Sequence, residues 1–262
     1  MIKYMKTNSR TRVPTENGYM KIAEKIRMDR AALEKDGAIT IVAFGDSVTH
    51  GALGAGEINY ETVYWNLLRK KILAKRNYVP VNVINSGIGG VSAKGSLSRL
   101  ESQALKYEPD LIIICFGLND VNGELKDYLS AMREMFARCI ERQVDVIFLT
   151  PNMLNTYVAA DTHHAHLSYA KKMADVQNSG RMDDFVYGAI SVAEEMGITV
   201  CDCYSKWKKL SETEDTTMLL ANRINHPIKE MHELFAEELY KIILPNTAES
   251  GGTSSSTMYD GK

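Results

Sequence analysis

The chain has 262 residues, 45% of them hydrophobic and 24% charged, with a formal net charge of −2. This composition supports one large domain with a buried core, and no Pro/Gly/Ser-rich linker divides residues 20–245. The bases are scattered among acids, which excludes the basic footprint of a nucleic-acid binder, and no run reaches the ~18 apolar residues of a membrane helix.

Taken in chain order, residues 1–12 are polar and basic, with no apolar stretch of the kind that forms the core of a signal peptide. That points to a cytoplasmic protein. Residues 19–35 read as a helix ending near Gly37, so 1–38 form an N-terminal extension. Five apolar, β-branched-rich runs follow, at 39–44 (ITIVAF), 81–85 (VNVIN), 111–116 (LIIICF), 144–150 (VDVIFLT) and 198–203 (ITVCDC). Each is continuous rather than alternating, as expected of strands covered on both faces. Helical periodicity fills the intervals at 60–75, 93–107, 125–142 and 182–196, and closes the domain at 227–243 with Pro227 in the first turn. Alternating strands and helices predict an α/β three-layer αβα sandwich around a five-stranded, parallel, doubly wound sheet, spanning 39–245. Residues 246–262 form a Gly/Ser/Thr-rich tail expected to be disordered. The four cysteines (Cys115, Cys139, Cys201 and Cys203) are expected to be free, buried thiols in a reducing compartment.

The stretch 152–180 has weak periodicity and reads as a long polar connection, a frequent home of binding residues. It contains His163, His164 and His166. They lack the i,i+4 spacing of a helical zinc pair and an acidic or cysteine partner at ligand spacing, so they are expected to touch substrate rather than metal.

In an open parallel sheet, ligands bind outside the carboxyl ends of the strands. The first run is followed by GDSVTHG, where Ser47 sits at a tight turn able to project its hydroxyl and aim its backbone N–H into the crevice. The second is followed by NSGIGGVS, whose glycines let backbone approach a ligand closely. Its spacing and position differ from a dinucleotide-binding loop, and no cofactor is expected. The third is followed by GLND, where Asn119 offers an amide donor. Before the last helix stands NRINHP, in which His226 is the histidine best placed to serve as general base. A nucleophile, oxyanion donors and a base on successive loops of one sheet edge are what acyl transfer requires.

These blocks, FGDSVTHG, VINSGIGGVSAKGSLSRL, GLND and NHP in that order, resemble the SGNH, or GDSL-type, hydrolase superfamily. The resemblance implies a flavodoxin-like fold and a serine esterase or acylhydrolase acting through an acyl-enzyme on Ser47, with His226 as base and Ser47, Gly90 and Asn119 as the oxyanion hole. The family's last block is usually D-x-x-H-P, whereas here Arg223 stands three residues before His226. Three supports for His226 therefore remain open: a backbone carbonyl, the side chain of Asn222 or Asn225, or an acid such as Asp202 or Asp161 arriving from elsewhere. Asp46, adjacent to Ser47, is expected to bond turn N–H groups. The polar loop favours small acyl esters, O-acetylated carbohydrates among them, as the small-molecule partner. An acyltransferase using the same site is separated from this reading by product analysis with sugar acceptors. A catalytically weak carbohydrate-binding protein on the same scaffold is separated by its failure to label with a fluorophosphonate.

Overall fold

The five apolar runs form five parallel strands: β1 (Ile39–Gly45), β2 (Val81–Gly87), β3 (Leu111–Cys115), β4 (Asp145–Leu149) and β5 (Thr199–Cys201). The computed structural model describes residues 20–54 and 56–245, so most of the N-terminal extension and the tail at 246–262 lie outside the described residues. The strand order is β2-β1-β3-β4-β5, every pairing is parallel, and this is the doubly wound order expected. The chain reverses its direction of winding between β1 and β3, the switch point beside which ligands bind in such sheets.

Helices cover both faces. On one side α4 (Tyr64–Lys75) packs against α11 (Lys229–Ile243). On the other, α7 (Leu125–Glu141) packs against α9 (Arg181–Glu195), which also meets α8 (Leu167–Asn178). α7 buries Tyr128, Ala131, Met132, Met135, Phe136 and Cys139, the i, i+3, i+4, i+7 stripe of an amphipathic helix. Against it the sheet presents fully buried Ile and Phe side chains, each worth about 1.5–3 kcal/mol on burial. All four cysteines are free and buried.

Several elements depart from the sequence reading. The helix expected over 19–35 is two helices, α1 (Met20–Lys25) and α2 (Arg30–Asp36), because the Asp29 side chain accepts from Ala32 N–H and caps a new start. The helix expected over 93–107 is broken into α5 (Ala93–Ser96), α6 (Leu100–Gln103) and two 3₁₀ turns. Within it Arg99 turns into the sheet edge, donating to the carbonyls of Ser86 and Gly45 with its guanidinium 4.2 Å from the Phe44 ring centroid. The stretch at 152–180 is only half irregular, since α8 occupies its second part. A helix that periodicity did not suggest, α10 (Cys203–Leu210), starts immediately after β5, capped by Asp202. Pro227 is not in the first turn of α11. It pairs with Leu220 in an antiparallel bridge, and the helix begins two residues later.

Strand register aligns the carboxyl edge of the sheet. Gly45 lies opposite both Gly87 and Cys115, so β1, β2 and β3 reach one level. That level depends on a missing side chain: a Cβ on Gly45 would lie 2.6 Å from the Cys115 carbonyl oxygen and 2.9 Å from Thr49 Cβ. Gly45→Ala is therefore expected to destabilise the fold by about 1–3 kcal/mol, read as a lower midpoint in urea denaturation, since backbone cannot yield as a flexible side chain does.

Candidate active site

β1 delivers the chain into a one-turn helix, α3 (Ser47–His50). Asp46 caps it, its Oδ1 accepting from Val48 N–H at 3.0 Å, and Gly51, with φ 99°, closes it in the left-handed region. This is the structural role expected of Asp46. Burial raises its carboxyl to about 7, against the bond from Val48, and the charge of Asp120 adds to the rise.

The turn places Ser47 Oγ 3.0 Å from His226 Nε2. The other ring nitrogen, Nδ1, lies 2.7 Å from the backbone carbonyl oxygen of Leu53. A carbonyl only accepts, so Nδ1 carries the proton and Nε2 presents its lone pair to the Ser47 hydroxyl. Of the three supports that the sequence left open, the backbone carbonyl is the one that contacts the ring. Asn222 does not hold it: its Oδ1 accepts from the N–H groups of Ile224, Asn225 and His226, and its amide donates to Asn225 Oδ1 at 2.8 Å. Asn225 is occupied by that bond. Asp202 caps α10, and Asp161 is paired with Arg223.

The ring and its carbonyl partner are each held by a short hairpin. In the first, Leu53 N–H donates to Glu57 O and Asn59 N–H to Gly51 O, with Ala52 bridged to Ile58. In the second, Ala221 N–H donates to His226 O and Ile228 N–H to Leu219 O, and this pairing is what keeps Pro227 out of the helix. Gly54 packs against the second hairpin, where an added Cβ would meet Ala221 O at 3.2 Å.

The remaining expected groups lie on the neighbouring loops. Gly89 rests against Ser47, its would-be Cβ 3.9 Å from Ser47 Cβ. Gly90 is exposed, in the left-handed region with φ 78°, and has open space where a side chain would stand. Asn119 is half-buried, and its amide donates to Val91 O at 3.0 Å, which ties the third loop to the second. Asp120 reinforces that tie by accepting from Ala93 N–H at 2.9 Å.

His163, His164 and His166 sit on an exposed 3₁₀ turn, with the rings of His163 and His164 stacked 4.4 Å apart. His163 and His166 line a cavity of about 580 Å³ that His226 and Leu53 also line, while His164 does not. Among the described residues no group of three His, Cys, Asp or Glu side chains is arranged to hold a metal ion. Sequence reasoning passed over two groups at this site. One is the Leu53 carbonyl, for which no sequence signal exists because every residue carries one. The other is His232, buried against Tyr64 and accepting from its N–H at 3.3 Å. Burial pushes His232 down to about 4, and the charge of His226 adds to the effect.

The model of the GDSL-like lipase/acylhydrolase family matches residues 43–234, which include all of these loops. The chain belongs to that family. As a GDSL-type hydrolase it is a carboxylic ester hydrolase. No curated protein sequence matches it. Among solved structures, it is similar to a lipase/acylhydrolase from Enterococcus faecalis, at 25% identity and TM-score 0.61 over 78% of this chain and 95% of that one. An α/β hydrolase enzyme from the metagenome of Lake Arreo, Spain, shares 21% identity at TM-score 0.60, covering 79% of this chain and 96% of its own. An acetylxylan esterase from Geobacillus stearothermophilus shares 19% identity at TM-score 0.61, covering 79% and 94%. The last two likenesses concern the fold. Among the described residues of this hydrolase no helix is long and apolar enough to cross a membrane.

Burial lowers the His226 imidazole below its ordinary 6.5, and the bond to Leu53 opposes that shift without cancelling it. The ring is therefore expected to stay neutral at pH values where a solvent-exposed histidine is half-charged. NMR titration of the His226 Cε1–H signal checks this, the resonance moving at lower pH than that of histidine in a short unstructured peptide.

Proposed function

We propose that the protein is a serine esterase cleaving small acyl esters, O-acetylated carbohydrates among them, through an acyl-enzyme on Ser47. The observation that carries this reading is the aligned series from Ser47 Oγ to His226 Nε2 and from His226 Nδ1 to Leu53 O, at 3.0 and 2.7 Å. His226, neutral because it is buried, takes the hydroxyl proton as Ser47 Oγ attacks the ester carbonyl carbon. The oxyanion is received by the backbone N–H groups of Ser47 and Gly90 and by the Asn119 amide. The imidazolium returns its proton to the leaving alkoxide oxygen, the C–O bond breaks, and water releases the acid from the acyl-enzyme by the same steps. Leu53 O fixes the ring and its tautomer, while stabilising the imidazolium less than a carboxylate would. The polar character of the 152–166 loop supports the small, polar choice of substrate.

Fluorophosphonate labelling followed by intact-mass measurement tests the nucleophile: the wild type gains one adduct and Ser47→Ala gains none. An adduct on Ser47→Ala would remove Ser47 from the mechanism. Asn119→Ala is expected to lower kcat by about 100- to 1000-fold with little change in KM, the usual loss for one oxyanion donor. Steady-state acetate release measures it.

A further inference from the structure

The start of α11 holds a buried histidine to which the reaction gives no part. His232 is 1% exposed, its Nδ1 accepts from Tyr64 N–H at 3.3 Å, and its ring lies nearly parallel to the Tyr64 ring with centroids 6.3 Å apart. Because Nδ1 accepts, the neutral ring carries its proton on Nε2, which is buried without a hydrogen-bond partner among the described residues. An unpaired donor is unfavourable in the interior, and a leucine would fill much of the same space without one. What the imidazole adds at this position is therefore the acceptor.

That acceptor meets a specific need. Tyr64 is the first residue of α4, whose opening N–H groups have no partner within the helix, and Val63 before it supplies no side-chain cap. His232 caps α4 from another element. The residues that α4 presents at this end bind the nucleophile turn: Tyr64 Oη lies 3.0 Å from Thr49 Oγ1, and Trp65 Nε1 donates to Thr49 O at 2.9 Å. Thr49 belongs to α3, the single turn that opens with Ser47. At the other end of the path, α11 follows directly on the hairpin that carries His226. A continuous series of contacts thus runs from the Ser47 turn through Thr49, Tyr64 and His232 to the segment of His226. In the reaction proposed above, on which this inference rests, proton transfer needs Ser47 Oγ and His226 Nε2 at the 3.0 Å found between them. We propose that His232 is a positioning residue that sets this separation, by locking the start of α11 to the start of α4 and, through Thr49, to the nucleophile turn.

Two substitutions of nearly the same shape separate positioning from packing. His232→Asn can place its Oδ1 where Nδ1 stands and keeps an acceptor for Tyr64 N–H, while His232→Leu removes it. Small misplacements of reacting groups cost up to about 100-fold in rate, so His232→Leu is expected to lower kcat for 4-nitrophenyl acetate by about 10- to 100-fold with little change in KM. His232→Asn is expected to keep most of the wild-type kcat. It buries a polar amide, so its urea midpoint is expected to fall below that of His232→Leu, and the less stable variant is then the more active one. Tyr64→Phe cuts the same path at Thr49 and is expected to lower kcat as well, with no further loss when it is combined with His232→Leu. Wild-type kcat in His232→Leu, or activities that rank as the urea midpoints do, overturns the positioning role while leaving the esterase reading intact. Should His232→Leu fail to fold, Tyr64→Phe decides, and an unchanged kcat there overturns the role. Absence of both hydrolysis and a fluorophosphonate adduct in the wild type overturns the esterase reading, and the positioning role with it.

Discussion

Everything at the catalytic edge depends on how closely β1 can approach its two neighbours at Gly45. This residue is level with Gly87 on one side and Cys115 on the other, and Thr49 of the following turn folds back over it. No side chain fits in that space. Because the three strands reach one level there, the loops that follow them leave from one level too. Ser47 is thereby set against Gly89, and Asn119 against Val91. Arg99 ties the same edge from below by bonding the carbonyls of Gly45 and Ser86. The polar groups that follow these strands are therefore positioned by main-chain packing of the sheet.

The fourth group, His226, arrives by a different route. It comes from a hairpin remote in sequence, stapled to itself by backbone pairing and by the three N–H groups that Asn222 Oδ1 receives. Its ring is then fixed by a carbonyl on a second hairpin, which Gly54 allows to pack on the first. A neutral acceptor has an electrostatic consequence. Among the described residues no carboxylate contacts the ring to offset the cost of burying its charged form, and the pKa falls. In the proposed role of base, such a ring is available over a wider acid range but is a weaker proton acceptor than one backed by a carboxylate. Arg223 stands where the family pattern has an acid. Instead of facing the histidine, it binds Asp161 and joins the loop after β4 to the His226 hairpin.

The strands were legible because they are buried on both faces and leave continuous apolar runs. Their alternation with helices also made the parallel, doubly wound sheet legible, while the flavodoxin-like order was implied only by the family resemblance. Helix boundaries were less legible where a local polar contact overrides periodicity. Asp29 restarts a helix at 30, Asp202 starts one at 203, and the bridge from Pro227 to Leu220 delays one to 229. In the same way, the polar sequence of α8 hid a helix that buries Ala170, Met173 and Val176.

At the site, the sequence by itself determined which side chains stand at the strand ends and in which order, because tight turns after buried strands require small and polar residues. Ser47 and Asn119 stood out for that reason, His226 as the histidine just before the last helix, and Gly90 only through the family resemblance. What holds His226 was decided only by the tertiary structure. The acceptor is a main-chain carbonyl at Leu53, 173 residues away in the chain and indistinguishable in sequence from any other. The pairing of Arg223 with Asp161, 62 residues apart, was equally unreadable, since an ion pair between two loops exists only once both are folded against the same sheet edge.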